Sequence, residues 1–413
     1  MLKVTHISFS DAEGGAARAA YRIHQALIIN KVLSTMCVNK KRTKDWRINS
    51  LSFFCRSLGL FRKYFAASLL NAMLKKDANI LQSLNIFPSG LKSLIQQSSS
   101  NLIHLHWVGN EMLSIGEIGS IKQPVVWTLH DMWPFSGTEH LPMNDEWMLD
   151  YKKNGLVGDG ANILNKYVLS YKKIRWKKPI HIVAPSEWMA SCVRKSLIMH
   201  KWPIVVIPNP IDLEQWKPLD RSLARTLLNL PLDKKLILFG AIGGTADPNK
   251  GFNLLKPALK MVGEKVGGIE LVIFGESEPK EVIDVCYPIH YMGQLSDDVS
   301  LRILYSAADL LVVPSYIEAF GQTASESQAC GTPVVGFNSS GLNDIINHKK
   351  TGYLARSYEI SDLINGIIWV LEYANQAELR NNCRKKIVEN FSYEIVGKKY
   401  FDLYHEIVNS LHK

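Results

Sequence analysis

Residues 308 to 337, "ADLLVVPSYIEAFGQTASESQACGTPVVGF", join two apolar β-rich runs through a stretch with helical character. A run that is apolar on both faces belongs to a strand buried on both sides, and a strand–helix–strand succession predicts a parallel sheet. In such sheets ligand-binding groups sit on the loops beyond the C-terminal ends of the strands. The loop here carries Glu318, and Glu326 follows one to two turns into the helix. A carboxylate directly after a buried strand is no way to build a core, whereas Phe320 is suited to pinning the loop to one. Gly321 leaves the amides of Gly321, Gln322 and Thr323 open at a helix N-terminus, where an anion binds well. An acid early in a helix also favours the helix dipole, which accounts for Glu326 but not for Glu318. Carboxylates beside an anion-binding corner suit a ligand that joins phosphate to hydroxyl groups, because carboxylates accept strongly from sugar O–H.

The same alternation of short β-rich runs and helical patterns extends along all 413 residues. Candidate strands are "KVTHISF", "NLIHLHW", "PVVWTLH", "HIVAPS" and "PIVVIP", then "KLILFG", "LVIFG", "IHYMG", "LLVVPS" and "TPVVGF". That is too many for one comfortable sheet, so the expected architecture is α/β with two parallel-sheet domains. The boundary is expected where Pro208, Pro210 and Pro218 interrupt both periodicities. The expected domains are 1–208 and 209–390, followed by a closing helix over 391–413.

Four more loops bear on chemistry. Gly14 and Gly15 in "SDAEGGAARAA" allow a tight turn into a helix that starts at small side chains such as Ala16, a second anion corner. The dinucleotide fingerprint is incomplete, since the third glycine is missing. His130, in "WTLHDMWPFSG", belongs at a strand's C-terminal end, where it can donate to or accept from a hydroxyl, or simply bond to backbone. "FGAIGGTADPNKGFNLL" sets Lys250 beside glycine-rich backbone, suited to neutralising phosphate, although the P-loop spacing is absent. "NSSGLNDIINHKKTGYL" could close the same pocket.

The net charge is 48 − 38 = +10. Two stretches, 40–63 and 151–180, each hold eight Lys/Arg against one acid, a joint +14 that leaves the remainder acidic. Such runs are either solvated surface or a contact for something anionic. Interleaved aromatic and apolar residues ("FFCRSLGLFRKYFAASLL", "YKKIRWKKP") favour an interfacial helix on an anionic membrane over a nucleic-acid groove. No apolar run approaches membrane-spanning length, and the six cysteines are scattered without a CxxC pair. A cytoplasmic protein associated with the inner face of a membrane is the expectation.

Glu318 and Glu326, with seven residues between them and followed by "ACGTPVVG", resemble the paired-glutamate motif of retaining glycosyltransferases of the GT-B fold, family 4 (group 1). "EGGAARAA", "TLHDMW", "PSEWM", "IPNPID", "YMGQLSDD" and "FSYEIVGKKYFDLY" extend the resemblance over nearly the whole chain. The wording of "TLHDMWPFSG" and "LFGAIGGTADPNKG" is most similar to enzymes of colanic acid and O-antigen assembly. The resemblance implies two Rossmann-like domains facing a cleft, with the C-terminal helix returning to the first. It implies transfer of a sugar from a nucleotide-diphosphate donor to a lipid-linked saccharide, with retention, in cell-surface polysaccharide biosynthesis. Glu318 would then face the donor sugar and Glu326 the ribose. Lys250 and the amides of Gly321 to Thr323 would hold the diphosphate, Gly15 and Ala16 would approach it from the first domain, and His130 would contact the transferred sugar. Gly293 and Leu295 would frame the base.

The chain departs from the family at Ala241, where an arginine is common, so a phosphate cation is missing or supplied by a residue such as Arg18. A cysteine cluster that some relatives carry after "WPFSG" is also missing. No Asp-x-Asp triplet occurs, so no metal and no cofactor beyond the donor substrate is expected. Two other readings stay open. A GT-B sugar-nucleotide epimerase would consume donor without acceptor, and a non-catalytic basic membrane or nucleic-acid adaptor would lose binding on neutralisation of Lys172, Lys173, Lys177 and Lys178.

Overall fold

The computed structural model describes residues 2–73, 81–142, 160–240, 243–278, 283, 285, 287–295 and 297–411. It divides into two compact units, Met1–Pro208 with Val396–Lys413, and Asn209–Ile395. The first unit is built on β1 (Lys3–Ser10), β2 (Leu33–Lys40), β3 (Ile48–Ser50), β4 (Leu102–Leu105), β5 (Val125–Thr128), β6 (His181–Ala184) and β7 (Ile204–Val206). These form one sheet in the order β3-β2-β1-β4-β5-β6-β7, and every pairing is parallel. The second unit contains β8 (Lys235–Gly240), β9 (Ile269–Phe274), β10 (Ile289–Tyr291), β11 (Leu310–Val313), β12 (Val334–Phe337) and β13 (Gly352–Ala355). Its order is β10-β9-β8-β11-β12-β13, again all parallel.

In each sheet the chain winds outward from the first strand, then restarts on its other side. The reversal falls between β1 and β4 in the first unit and between β8 and β11 in the second. Crossover loops on the two sides of such a point part from each other and leave a crevice, where open α/β sheets bind ligands. The loops after β1, β8 and β11 carry Gly15, Lys250 and Glu318.

Of the strands, β2, β3 and β13 lie outside the sequence expectation. The run "LSTMCVNK" of β2 mixes Ser, Thr and Asn into its apolar pattern, and β3 and β13 are three and four residues long. All three owe their strand conformation to ladders with long-range partners, which propensity does not report.

The C-terminal segment is two helices, Gln376–Phe391 and Tyr393–Ser410, broken at the extended Ser392. The unit boundary lies at Val396, five residues beyond the expected start of the closing helix at 391. Val396, Tyr400, Tyr404 and Ile407 are buried against Val4, Ile23, Leu27, Leu102, Val126 and Val183. Gly397 allows that packing, since a Cβ there would come within 2.5 Å of the Ala26 carbonyl oxygen.

Candidate active site

Three loops of the second unit converge. Lys250 closes a short turn, Pro248–Lys250, that Asp247 caps by accepting from the Asn249 N–H. Gly251 follows with φ 69°, and a Cβ there would lie 2.0 Å from the Pro314 carbonyl oxygen, so only glycine lets this turn approach the end of β11. Asn249 ties the turn down: its amide donates to the Ile317 carbonyl at 2.9 Å, its Oδ1 accepts from Ile317 N–H at 3.0 Å, and its backbone carbonyl accepts from Tyr316 N–H. As a result Lys250 Nζ sits 2.7 Å from Glu318 Oε1, which also accepts from the Ser315 hydroxyl at 2.9 Å.

The Glu318 backbone is clamped by the third loop, its N–H donating to Ser340 Oγ at 3.2 Å and its carbonyl accepting from Gly341 N–H at 2.9 Å. The two charged side chains are 23% and 15% exposed, buried enough to be strong and open enough to be reached. Burial works against the charge on Lys250, but the adjacent Glu318 carboxylate outweighs it and holds this lysine above its ordinary pKa. The sequence suggested Lys250 and Glu318 separately. Asn249, Ser315 and Ser340, which hold them together, had no signal beyond their place beside the motifs.

Phe320 is 2% exposed and meets Phe391 edge to face at 5.8 Å, anchoring the loop in the core. Gly321, at φ 105°, starts the helix Gln322–Ala329 without any side-chain cap. Gln322 and Thr323 are half-buried at that open end. Glu326 lies deeper, 3% exposed, and accepts from the Tyr305 hydroxyl at 3.3 Å. Gly293, with φ 64°, accepts from Gly275 N–H through its carbonyl, and Leu295 packs on the core. The loop after β9 reaches the glycine-rich turn, where Glu276 Oε2 accepts from Thr245 N–H at 2.9 Å. Ala241 lies outside the described residues.

In the first unit, Gly14 (φ 89°) turns the chain after β1, and Gly15 begins the helix Gly15–Ile29 with Ala16 behind it and Arg18 half-buried in the first turn. His130 is half-buried after β5, with Nε2 3.1 Å from His106 Nδ1. Burial lowers the His130 pKa to about 4 despite the neighbouring Asp131, so the ring is neutral near pH 7. Asp131 faces elsewhere, accepting from Trp107 Nε1 at 2.6 Å and from His140 Nδ1 at 2.5 Å.

The two basic stretches resolve differently from the expectation. Residues 151–159 lie outside the described residues. Lys172 is fully buried, donating to the carbonyls of Trp133, Ser136 and Gly137 at 2.5, 3.1 and 2.8 Å and standing 3.9 Å over the Trp133 ring. It holds the "WPFSG" loop and is no surface cation, so its place among membrane-contacting lysines is withdrawn. Lys173, Lys177 and Lys178 are exposed. In the other stretch, Lys40 and Arg42 pair with Glu13, Arg47 pairs with Asp45, and Arg62 is buried. The helix Phe53–Met73 exposes Leu58, Leu60, Phe61, Tyr64 and Phe65 beside Arg56 and Lys63. Among the described residues no helix is long and apolar enough to cross a membrane.

Two parallel sheets with these crossovers define the GT-B class, and solved structures of that architecture superpose on nearly the whole chain. Sucrose-phosphate synthase from Thermosynechococcus elongatus matches with TM-score 0.69 at 19% identity, over 99% of this chain and 100% of that one. HepE from Anabaena, solved with UDP and glucose, matches with TM-score 0.66 at 16% identity, over 98% and 100%. Residues 221–389 match the family model for glycosyl transferases group 1, and residues 66–215 match that for glycosyltransferase family 4. The chain belongs to the family 4, group 1 glycosyltransferases. An uncharacterized glycosyltransferase of Methanocaldococcus jannaschii is 31% identical over 180 residues, 42% of this chain and 45% of that protein, so the alignment spans less than half of the relative.

Proposed function

We propose that the chain is a retaining glycosyltransferase that moves a sugar from a nucleotide-diphosphate donor to a lipid-linked saccharide in cell-surface polysaccharide assembly. The observation that carries this reading is the Lys250–Glu318 contact of 2.7 Å beside the uncapped helix start at Gly321. Without ligand the two side chains neutralise each other. A donor offers each a better partner: diphosphate oxygens for Lys250 and the helix amides, sugar hydroxyls for Glu318. The barrier lies in breaking the sugar–phosphate bond as charge gathers on the leaving diphosphate. Donors already aimed there stabilise that charge by about 2.7–4 kcal/mol each. Glu326, deep in the same helix, would take the ribose, with Gly293 and Leu295 at the base. UDP-linked sugars are the first donors to try, since HepE was solved with UDP and glucose.

Asp-x-Asp triplets are absent from the sequence, which supports a metal-independent reaction. The exposed apolar and basic residues of Phe53–Met73 support peripheral contact with an anionic membrane, where a lipid-linked acceptor would be met. A panel of UDP-, GDP-, ADP- and CMP-sugars tests the reading, first by thermal shift and then by transfer to lipid-linked acceptors with the product anomer assigned by NMR. Retention with excess chelator present is the expected result. An inverted product, donor epimerised without acceptor, or activity abolished by chelator would each count against the corresponding part.

A further inference from the structure

The first unit buries a line of histidines. His6 in β1 and His106 just after β4 are 0% and 1% exposed. Their rings stack at 5.1 Å, and His106 stacks on His130 at 5.4 Å. Hydrogen bonds run along the line, His6 Nδ1 to His106 Nε2 at 2.8 Å and His106 Nδ1 to His130 Nε2 at 3.1 Å. The far nitrogen, His6 Nε2, is buried without a partner among the described residues.

A neutral imidazole has one donor nitrogen and one acceptor nitrogen, so the line can be polarised in only two ways. If His130 Nε2 donates to His106, each proton shifts along and His6 is left with a buried N–H that has no acceptor. If His6 Nδ1 donates, His106 Nδ1–H donates to His130 Nε2, and His6 keeps only a bare lone pair. Orphaned buried N–H groups are rarer in folded proteins than under-used acceptors, so the second polarity wins. We propose that His6 and His106 are positioning residues that fix His130 in its Nδ1–H tautomer, making it a neutral hydrogen-bond donor to a bound ligand and not a proton acceptor. That the ligand is a sugar rests on the functional reading above; the tautomer does not.

Burial lowers the pKa of His6 and His106 well below the ordinary value and that of His130 to about 4, so the line is uncharged near neutral pH. His104 faces His106 at 4.1 Å and is itself satisfied by Thr128 and the Tyr404 hydroxyl. His24 faces His6 at 5.8 Å, with its ring bonded to Ser34. One nitrogen each of His6, His104 and His106 lies within 4.8 Å of the others, but five of their six ring nitrogens are already hydrogen bonded, which favours a relay over a metal site. Nor is the nearby Ser83–His140–Asp131 chain a nucleophilic triad, because Ser83 is 2% exposed and its oxygen accepts from Asn110 N–H.

The test is a two-bond 1H–15N correlation spectrum of the full-length, histidine-labelled protein at neutral pH. His130 is expected with Nδ1 protonated and Nε2 bare. In His106→Leu the His130 signals should move toward the Nε2–H form, and kcat/KM for transfer should fall about five- to tenfold, the worth of one hydrogen bond. In His106→Asn, whose amide N–H stands near the lost Nδ1–H, the tautomer and the rate should largely recover. An Nε2–H form in the wild type overturns the proposal, and that spectrum decides even if a variant does not fold. Unchanged His130 signals in His106→Leu overturn it as well. Loss of all transfer with the Nδ1–H form intact would reject the functional reading alone.

Discussion

The strand ends of the two sheets solve the same topological problem with opposite chemistry. Around β1, β4 and β5 the polar interior is a set of neutral imidazoles and hydroxyls: His6, His104, His106 and His130, with Thr128, Tyr400 and Tyr404. Around β8 and β11 it is made of ion pairs, Lys250 with Glu318, and Asp309 with Arg221 and Arg225. On the proposed function, the second unit's crevice receives a diphosphate and needs charge in reserve, which a pair that exchanges partners would supply. On the same proposal, a surface that would hold a sugar hydroxyl without protonating it is better served by uncharged donors. Neither arrangement follows from the fold, which is common to both.

Acid should separate the two units most strongly. Burial holds the folded-state pKa of His6, His24, His104, His106 and His130 below the ordinary value, to about 4 for His24 and His130. Each therefore contributes stability that is present above pH about 6.5 and is lost as pH falls below it, toward 4 for His24 and His130, because the unfolded chain binds the proton more readily. His24 alone is worth about 3 kcal/mol across that window. Hydrogen exchange on the full chain from pH 7 to 4.5 should show protection falling first in β1, β4 and β5, with β8 and β11 following only in stronger acid. Simultaneous loss would erase the distinction.

Lys172 sharpens the contrast, being a fully buried cation held by three carbonyls in the histidine-rich unit. Lys172→Met leaves three carbonyls unpaired and should cost about 2–3 kcal/mol in denaturant unfolding. Lys177→Gln and Lys178→Gln should stay within about 0.5 kcal/mol. Equal costs would mean that burial of Lys172 is unimportant.

In the charged unit, Glu318→Gln should lower turnover about a hundredfold with the circular dichroism unchanged. Donor affinity should hold or improve, since Lys250 loses its internal competitor. Wild-type turnover would remove Glu318 from the mechanism. Smallest is the membrane effect: Phe61→Ser with Phe65→Ser should weaken flotation with anionic vesicles several-fold, and unchanged flotation would detach that helix from the membrane.

What could be read in advance follows the same division. The apolar runs of β8, β9, β11 and β12 and the glutamates at 318 and 326 are local signals, and they marked the second unit's loops residue by residue. The histidine line was invisible, because His6 lies 100 residues before His106 and His130 a further 24 beyond it, and only the β1–β4 and β4–β5 pairings bring the three together. Lys172 was misread for a related reason. A lysine among lysines signals a solvated face, and nothing nearby in sequence shows that its helix aims it at the carbonyls of residues 133 to 137.

The most direct measurement is titration calorimetry of the free nucleoside diphosphates UDP and GDP into the wild-type chain and Lys250→Ala. At least one of the two should bind the wild type, and the variant should bind it about tenfold or more weakly, the worth of one charge-assisted hydrogen bond to phosphate. Equal affinity in both proteins would contradict the assignment of Lys250 and its partner Glu318 to the donor site.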